Sequence, residues 1–213
     1  MNHSLTSLHS RSSDNRSSSI WIVSQNKVHF YHVIRMSIIM IQSSPDFSFA
    51  PAEQQDIPLA LNFRRLLFDE MRVPENSLID DCYEILLNLY QEEFARGRIQ
   101  HFIAYNREQE PVAIAGALLK MDFPYYLFKP GYYGWMIDVY TIPHYRGKKL
   151  ASRLLELTQQ WLIAKGVQEA KLIAVGSHAK RLYERLGYRA TWEMSINLSG
   201  NKTYNELIDL NRE

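Results

Sequence analysis

Residues 137–155 read Ile-Asp-Val-Tyr-Thr-Ile-Pro-His-Tyr-Arg-Gly-Lys-Lys-Leu-Ala-Ser-Arg-Leu-Leu, and this stretch decides the fold. Up to Thr141 the residues are rich in β-branched and aromatic types, Pro143 stops the strand, and after Gly147 the apolar residues recur at helical spacing. The reading is a strand, a tight basic turn and a helix entrance. The first backbone N–H groups of a helix have no partner within it and lie at its positive dipole end. Arg146, Lys148 and Lys149 add positive charge to that entrance, and Gly147 allows close backbone approach. The expected ligand carries phosphates.

Two common phosphate loops are absent. Neither Gly-x-x-x-x-Gly-Lys-Ser/Thr nor Gly-x-Gly-x-x-Gly occurs here. Instead Arg146, Gly147, Lys148, Lys149, Leu150 and Ala151, preceded by Pro143 and Tyr145, resemble the pyrophosphate loop of the GNAT acetyltransferase superfamily, Arg/Gln-x-x-Gly-x-Gly/Ala. Further on, residues 178–188 read His-Ala-Lys-Arg-Leu-Tyr-Glu-Arg-Leu-Gly-Tyr and resemble its second signature, in which Ala-x-x-x-Tyr on a helix leads into Gly-Phe/Tyr. The interval suits a helix, a turn and a strand. Two residues depart from the pattern: Lys149 stands where the loop has its first motif glycine, and Gly176 where many members carry an asparagine.

The resemblance implies an α/β GNAT fold, a mixed sheet of about six to seven strands flanked by about four helices, with one parallel pair joined by a crossover helix. It implies acetyl-CoA as cosubstrate, bound by the backbone of Val139, Tyr140 and Thr141, by the loop from Arg146 through Gly147, Lys148, Lys149, Leu150 and Ala151 to Ser152, and by Gly176 and Ala179. Tyr183 takes the general-acid role, suited to a phenol that stays protonated near neutral pH. Asp138, on the central strand, is the candidate base, with Glu70, Glu93 and His178 as alternatives. The expected activity moves an acetyl group to a primary amine of a small molecule or protein. The competing class is a non-catalytic acyl-CoA sensor, kept open by Lys149 and Gly176.

Composition agrees with a globular domain: 46% hydrophobic and 22% charged residues over 213 positions suit one sizeable core. Lys plus Arg at 24 against Asp plus Glu at 23 removes any overall electrostatic case for nucleic acid. The single cysteine, Cys82, has no internal disulfide partner and reads as a small core residue. No metal-ligand spacing is found, so no metal is expected. The expected partners are acetyl-CoA and an amine in a cytoplasmic setting, with a homodimer admitted.

Residues 1–44 are serine-rich, then apolar with polar interruptions, and read as a disordered or dispensable extension; a transit peptide is the other reading, and no membrane span is expected. The acetyltransferase domain is placed at 45–213. A strand is expected at 47–50, then a helix capped by Asp56 that carries Leu61, Arg64, Leu67, Phe68 and Met71 on one stripe until Pro74. A second helix spans 78–96 and Gly97 closes it; the acidic residues of this pair form a solvated face. Runs 101–106 and 112–122 read as a hairpin, and the aromatic residues from Tyr125 to Trp135 pack the sheet end or line an acceptor pocket. After the central helix come a strand at 171–175, a helix capped by Ser177, and a late strand at 191–198 with alternating Trp192, Met194, Ile196 and Leu198.

Overall fold

A computed structural model of the chain describes residues 46–73, 81–123, 131–194 and 196. The elements run β1 (Ser48–Pro51), α1 (Ile57–Glu70), α2 (Cys82–Ala95), β2 (Ile99–Tyr105), β3 (Pro111–Met121), β4 (Tyr132–Thr141), α3 (Leu150–Ala164), β5 (Ala170–Lys171) and α4 (Gly176–Arg185). The sheet order is β1-β2-β3-β4-β5, antiparallel except for the parallel β4–β5 pair. The crossover helix between those two strands is α3, as a parallel pair requires. Five strands among the described residues replace the expected six to seven. Residues 191–194 lie outside any strand, with Trp192 and Met194 almost fully exposed. The expected extension at 1–44, the loop aromatics Tyr125, Tyr126 and Phe128, and the chain from 197 onward lie outside the described residues.

Helices cover both faces. Strand alternation divides β3, so that Ile114 and Leu118 join Ile57, Leu61, Phe63, Tyr90, Ile99 and Ile103 under α1 and α2. Ala113, Ala115 and Ala117, all fully buried, point the other way and give α3 a shallow bed of methyl groups along β3. Gly134 on β4 completes that bed, since a Cβ there would meet Leu162 of α3 at 2.5 Å. On α3, Leu154 and Leu155 have no exposure. Each contributes about 2 kcal/mol by burial. Packing therefore holds α3 in place, because no side chain caps its start.

Several helix boundaries differ from expectation. Asp56 precedes α1, but its carboxylate accepts from Glu53 N–H (2.8 Å) and so caps the short turn before it. Helix α1 ends at Glu70, short of Pro74. Ser177 lies inside the first turn of α4, which Val175 precedes in extended conformation, so Ser177 is not the cap. The expected strand 171–175 shortens to Ala170–Lys171.

Candidate active site

The site is built where β4 leaves its regular pairing. Gly116 opposes Ile137 and Ile114 opposes Tyr140, so β4 carries one residue more than β3, and Asp138 and Val139 have no register partner. This is a β-bulge, and within it Asp138 adopts left-handed backbone (φ 55°). An extra residue reverses the alternation of faces. Continued from Gly134 without it, the strand would aim Asp138 at α3. The bulge instead turns Asp138 toward α1 and α2, together with Tyr140, whose ring lies 6.1 Å from that of Phe63.

Three partners meet the Asp138 carboxylate there. Arg64 of α1 donates to Oδ1 (2.6 Å), Tyr90 of α2 donates its hydroxyl to Oδ2 (2.5 Å), and His101 Nε2 of β2 bonds the same oxygen (2.8 Å). The Tyr90 and His101 rings stack at 5.5 Å. Burial alone pushes the Asp138 carboxyl up, but the bond and charge of His101, the charge of Arg64 and the bond from Tyr90 outweigh it and hold it below the usual range. Tyr90 moves well upward, first through burial and then through the Asp138 charge. Arg64 is raised: burial opposes its charge, and Asp138 more than compensates. The carboxylate is a stable anion with its oxygens engaged.

Beyond β4, the chain makes a short turn at Pro143–Tyr145 and reaches α3. Lys149 precedes α3 in left-handed conformation (φ 62°, ψ 15°). That conformation explains why the loop pattern carries glycine here: an L side chain in it is strained by about 1–2 kcal/mol. The first turn of α3 holds no acidic residue and no side-chain cap, and its first intrahelical bond runs from Arg153 N–H to Lys149 C=O. The amides of Leu150, Ala151 and Ser152 therefore precede the helical ladder. Around them, Lys148 lies over the rings of Tyr145 and Phe47 at 5.2 and 5.4 Å. Arg146 ion-pairs with Glu70, donates from Nε to Thr141 C=O (3.0 Å) and faces the Tyr140 ring.

Tyr183 belongs to a separate group. It is the third residue from the end of α4, where Tyr188 N–H bonds Tyr183 C=O and Gly187 N–H bonds Glu184 C=O. Gly187 takes the left-handed position (φ 90°) that closes this motif, and the Tyr183 and Tyr188 rings make its apolar contact edge-on at 5.7 Å. The Gly-Tyr of the second signature thus closes the helix that carries Tyr183. Burial, then the neighbouring Tyr188, pushes the Tyr183 phenol up to about 12. Both tyrosines line a cavity of about 240 Å³ with Ala170, Lys171 and Glu193.

The predicted site residues thus fall into three groups: Asp138 with Val139, Tyr140 and Thr141 at the bulge, Arg146 to Ser152 at the α3 entrance, and Gly176, Ala179 and Tyr183 on α4. Asp138 and Tyr183 share no partner among their described contacts. Of the alternative bases, Glu70 is paired with Arg146, Glu93 with Arg96 and Arg98, and His178 is exposed on α4. Tyr90, His101 and Gly116 were not among the expected site residues. The available signals were a glycine inside the apolar run of β3 and a histidine opposite it on β2. No group of three or more metal-binding side chains occurs among the described residues, and none of their helices is long and apolar enough to cross a membrane.

Comparisons with known proteins bear on the fold and the family. A predicted acetyltransferase from Clostridium acetobutylicum, crystallised with acetyl-CoA, superposes with a TM-score of 0.65 at 23% identity, covering 74% of this chain and 99% of the other. A GCN5-related N-acetyltransferase from Ralstonia eutropha gives 0.64 at 19% identity, over 72% of this chain and 99% of its own. An aminoglycoside 6'-N-acetyltransferase from Acinetobacter baumannii gives 0.54 at 16%, over 74% and 99%. A search of curated proteins finds no match. At these identities the superpositions establish the fold, and the family rests on sequence: the profile of the acetyltransferase (GNAT) family matches residues 63–188, more than half of the chain. The chain belongs to the GNAT acetyltransferase family.

Proposed function

We propose that the protein transfers an acetyl group from acetyl-CoA to a primary amine of a small molecule or protein. The observation that carries this reading is the pairing of a bulge in β4 with an uncapped, cation-flanked entrance to α3 a short turn later. The entrance fits a diphosphate: uncapped amides, no first-turn acid, and Arg146, Lys148 and Lys149 beside them. In this reading the amides of Leu150, Ala151 and Ser152 bind the diphosphate of coenzyme A. The backbone of Val139, Tyr140 and Thr141 orients the arm that ends in the thioester, and Gly176 and Ala179 border it from α4.

Chemistry then needs a donor to the carbonyl oxygen and a proton for the departing sulfur. Val139, which lacks a ladder partner, supplies the donor N–H; removing one such donor costs on the order of 3 kcal/mol in a comparable oxyanion hole. Tyr183 supplies the proton from its hydroxyl, which burial keeps protonated at working pH. Asp138 serves this reading as a positioning residue, because its oxygens are already occupied; among the candidate bases His178 remains the one to vary. The incoming neutral amine forms the amide bond at the acetyl carbon as the carbon–sulfur bond breaks, the thiol leaves with the Tyr183 proton, and the proton lost from the amide nitrogen restores the phenol.

Release of free thiol, measured with acetyl-CoA and a panel of polyamines, amino acids, aminoglycosides and peptide N-termini, tests this. Amine-dependent release is expected. Saturable binding of acetyl-CoA with no amine-dependent release would support the sensor reading instead.

A further inference from the structure

Within β2, β3 and β4, three neighbouring positions on the α1/α2 face form a row: His101, Gly116 and the bulge at Asp138. His101 and Gly116 are direct register partners on adjacent antiparallel strands. A Cβ at Gly116 would lie 2.3 Å from His101 Cδ2 and 2.7 Å from Nε2. The imidazole therefore lies flat across the glycine and reaches one strand further, to Asp138 on β4. Any side chain at 116 would block that path.

The same carboxylate takes bonds from α1 and α2. Arg64, Tyr90 and His101 come from three different elements and converge on a residue whose backbone is in the left-handed region. Asp138 is 3% exposed and His101 4%, so water does not substitute for these bonds. An ordinary strand has no use for so many ties to one side chain.

We propose that Arg64, Tyr90 and His101 act through Asp138 as positioning residues of the acetyl-donor site, holding the β4 bulge so that the amide of Val139, which has no register partner on β3, keeps its aim. This deepens the acetyl-transfer reading and rests on it for the catalytic consequence. The bulge sits between two fates. A slip of one residue would restore the ladder and return Asp138 to the α3 face, and the side-chain ties oppose that slip. Gly116 is part of the device because it alone lets the imidazole cross β3.

Residue-resolved amide exchange of 137–141, combined with kcat and the KM for acetyl-CoA, tests the proposal on His101→Phe, Gly116→Ala, Asp138→Ala and Asp138→Asn. In the folded variants, exchange across 137–141 is expected to quicken, kcat to fall by up to about 100-fold for Asp138→Ala, and the donor KM to change little. Asp138→Asn, which keeps an acceptor oxygen and tolerates left-handed backbone, should recover part of the loss. His101→Phe preserves the ring and so provides a folded variant if Asp138→Ala does not fold. Wild-type exchange and wild-type kcat in His101→Phe and Gly116→Ala would overturn the proposal, as would an equal rise in donor KM and fall in kcat/KM with kcat intact. If the wild-type protein acetylates no amine, the acetyl-transfer reading fails, while the exchange measurements still decide whether the network holds the bulge.

Discussion

Asp138 and Lys149 both adopt left-handed backbone, at φ 55° and 62°, yet their surroundings are opposite. Asp138 is sealed in the core and bonded by three side chains from three elements. Lys149 is exposed at a helix start, and its side chain caps nothing. The first strained residue is fixed by tertiary contacts. The second stands in solvent, at a helix start whose first amides no side chain caps. In the proposed reading the chemical end of the site is thus rigid and internally satisfied, and the end that takes the diphosphate is open.

The largest expected effect tests the rigid end. Asp138→Ala removes one partner of a buried ion pair and should lower stability by about 3–5 kcal/mol in denaturant titration. A loss below about 1 kcal/mol would mean that the corner is not the anchor described here. Its pH dependence has a definite sign. Since the folded carboxyl lies below its ordinary value of about 4, the contribution is complete above that value and is lost as pH falls toward the folded one. Thermal melts of Asp138→Asn should show a flatter acid limb than wild type.

Next in size is Tyr183→Phe, which should lower kcat on the order of 100-fold and leave the donor KM nearly unchanged. With the phenol pushed up to about 12, wild-type kcat should show no loss between neutral pH and pH 10 that Tyr183→Phe abolishes. At the open end, Arg146→Glu should raise the KM for acetyl-CoA far more than that for the amine. Glu70→Gln should act in the opposite direction, freeing Arg146 and lowering the donor KM by less than about fivefold, since an exposed pair is worth about 0–1 kcal/mol. Lys149→Gly gives the smallest change: it relieves left-handed strain but adds freedom to the unfolded chain, so the net gain should be at most about 1 kcal/mol in a melt.

What could be read beforehand follows the range of the interactions involved. Strand, loop and helix from Ile137 to Ala164 were legible because period and punctuation are local, whereas Tyr132, Tyr133 and Trp135, read with the loop aromatics, belong to β4. So was the end of α4, where Gly187 marks a helix stop within a few residues. The Asp138 network was not, because its bonds join residues 74, 48 and 37 positions apart. One hint was present: Arg64 lies on the apolar stripe of α1, where a charge demands a partner. The left-handed turn at Lys149 was hidden for another reason. A lysine gives no warning of a backbone that glycine would announce, so only the family pattern pointed to it. Asp56 holds the expected position before α1 but spends its carboxylate on the preceding turn, and Ser177 was misplaced because a capping residue type shows that a helix begins nearby and leaves the register open by one or two residues.

The most direct test of the account is a residue-resolved amide titration of the whole chain with coenzyme A. The amides of Leu150, Ala151 and Ser152 should shift together with that of Val139 along one saturation curve. Coenzyme A binding that leaves those four amides unmoved would contradict the assignment of both ends of the site.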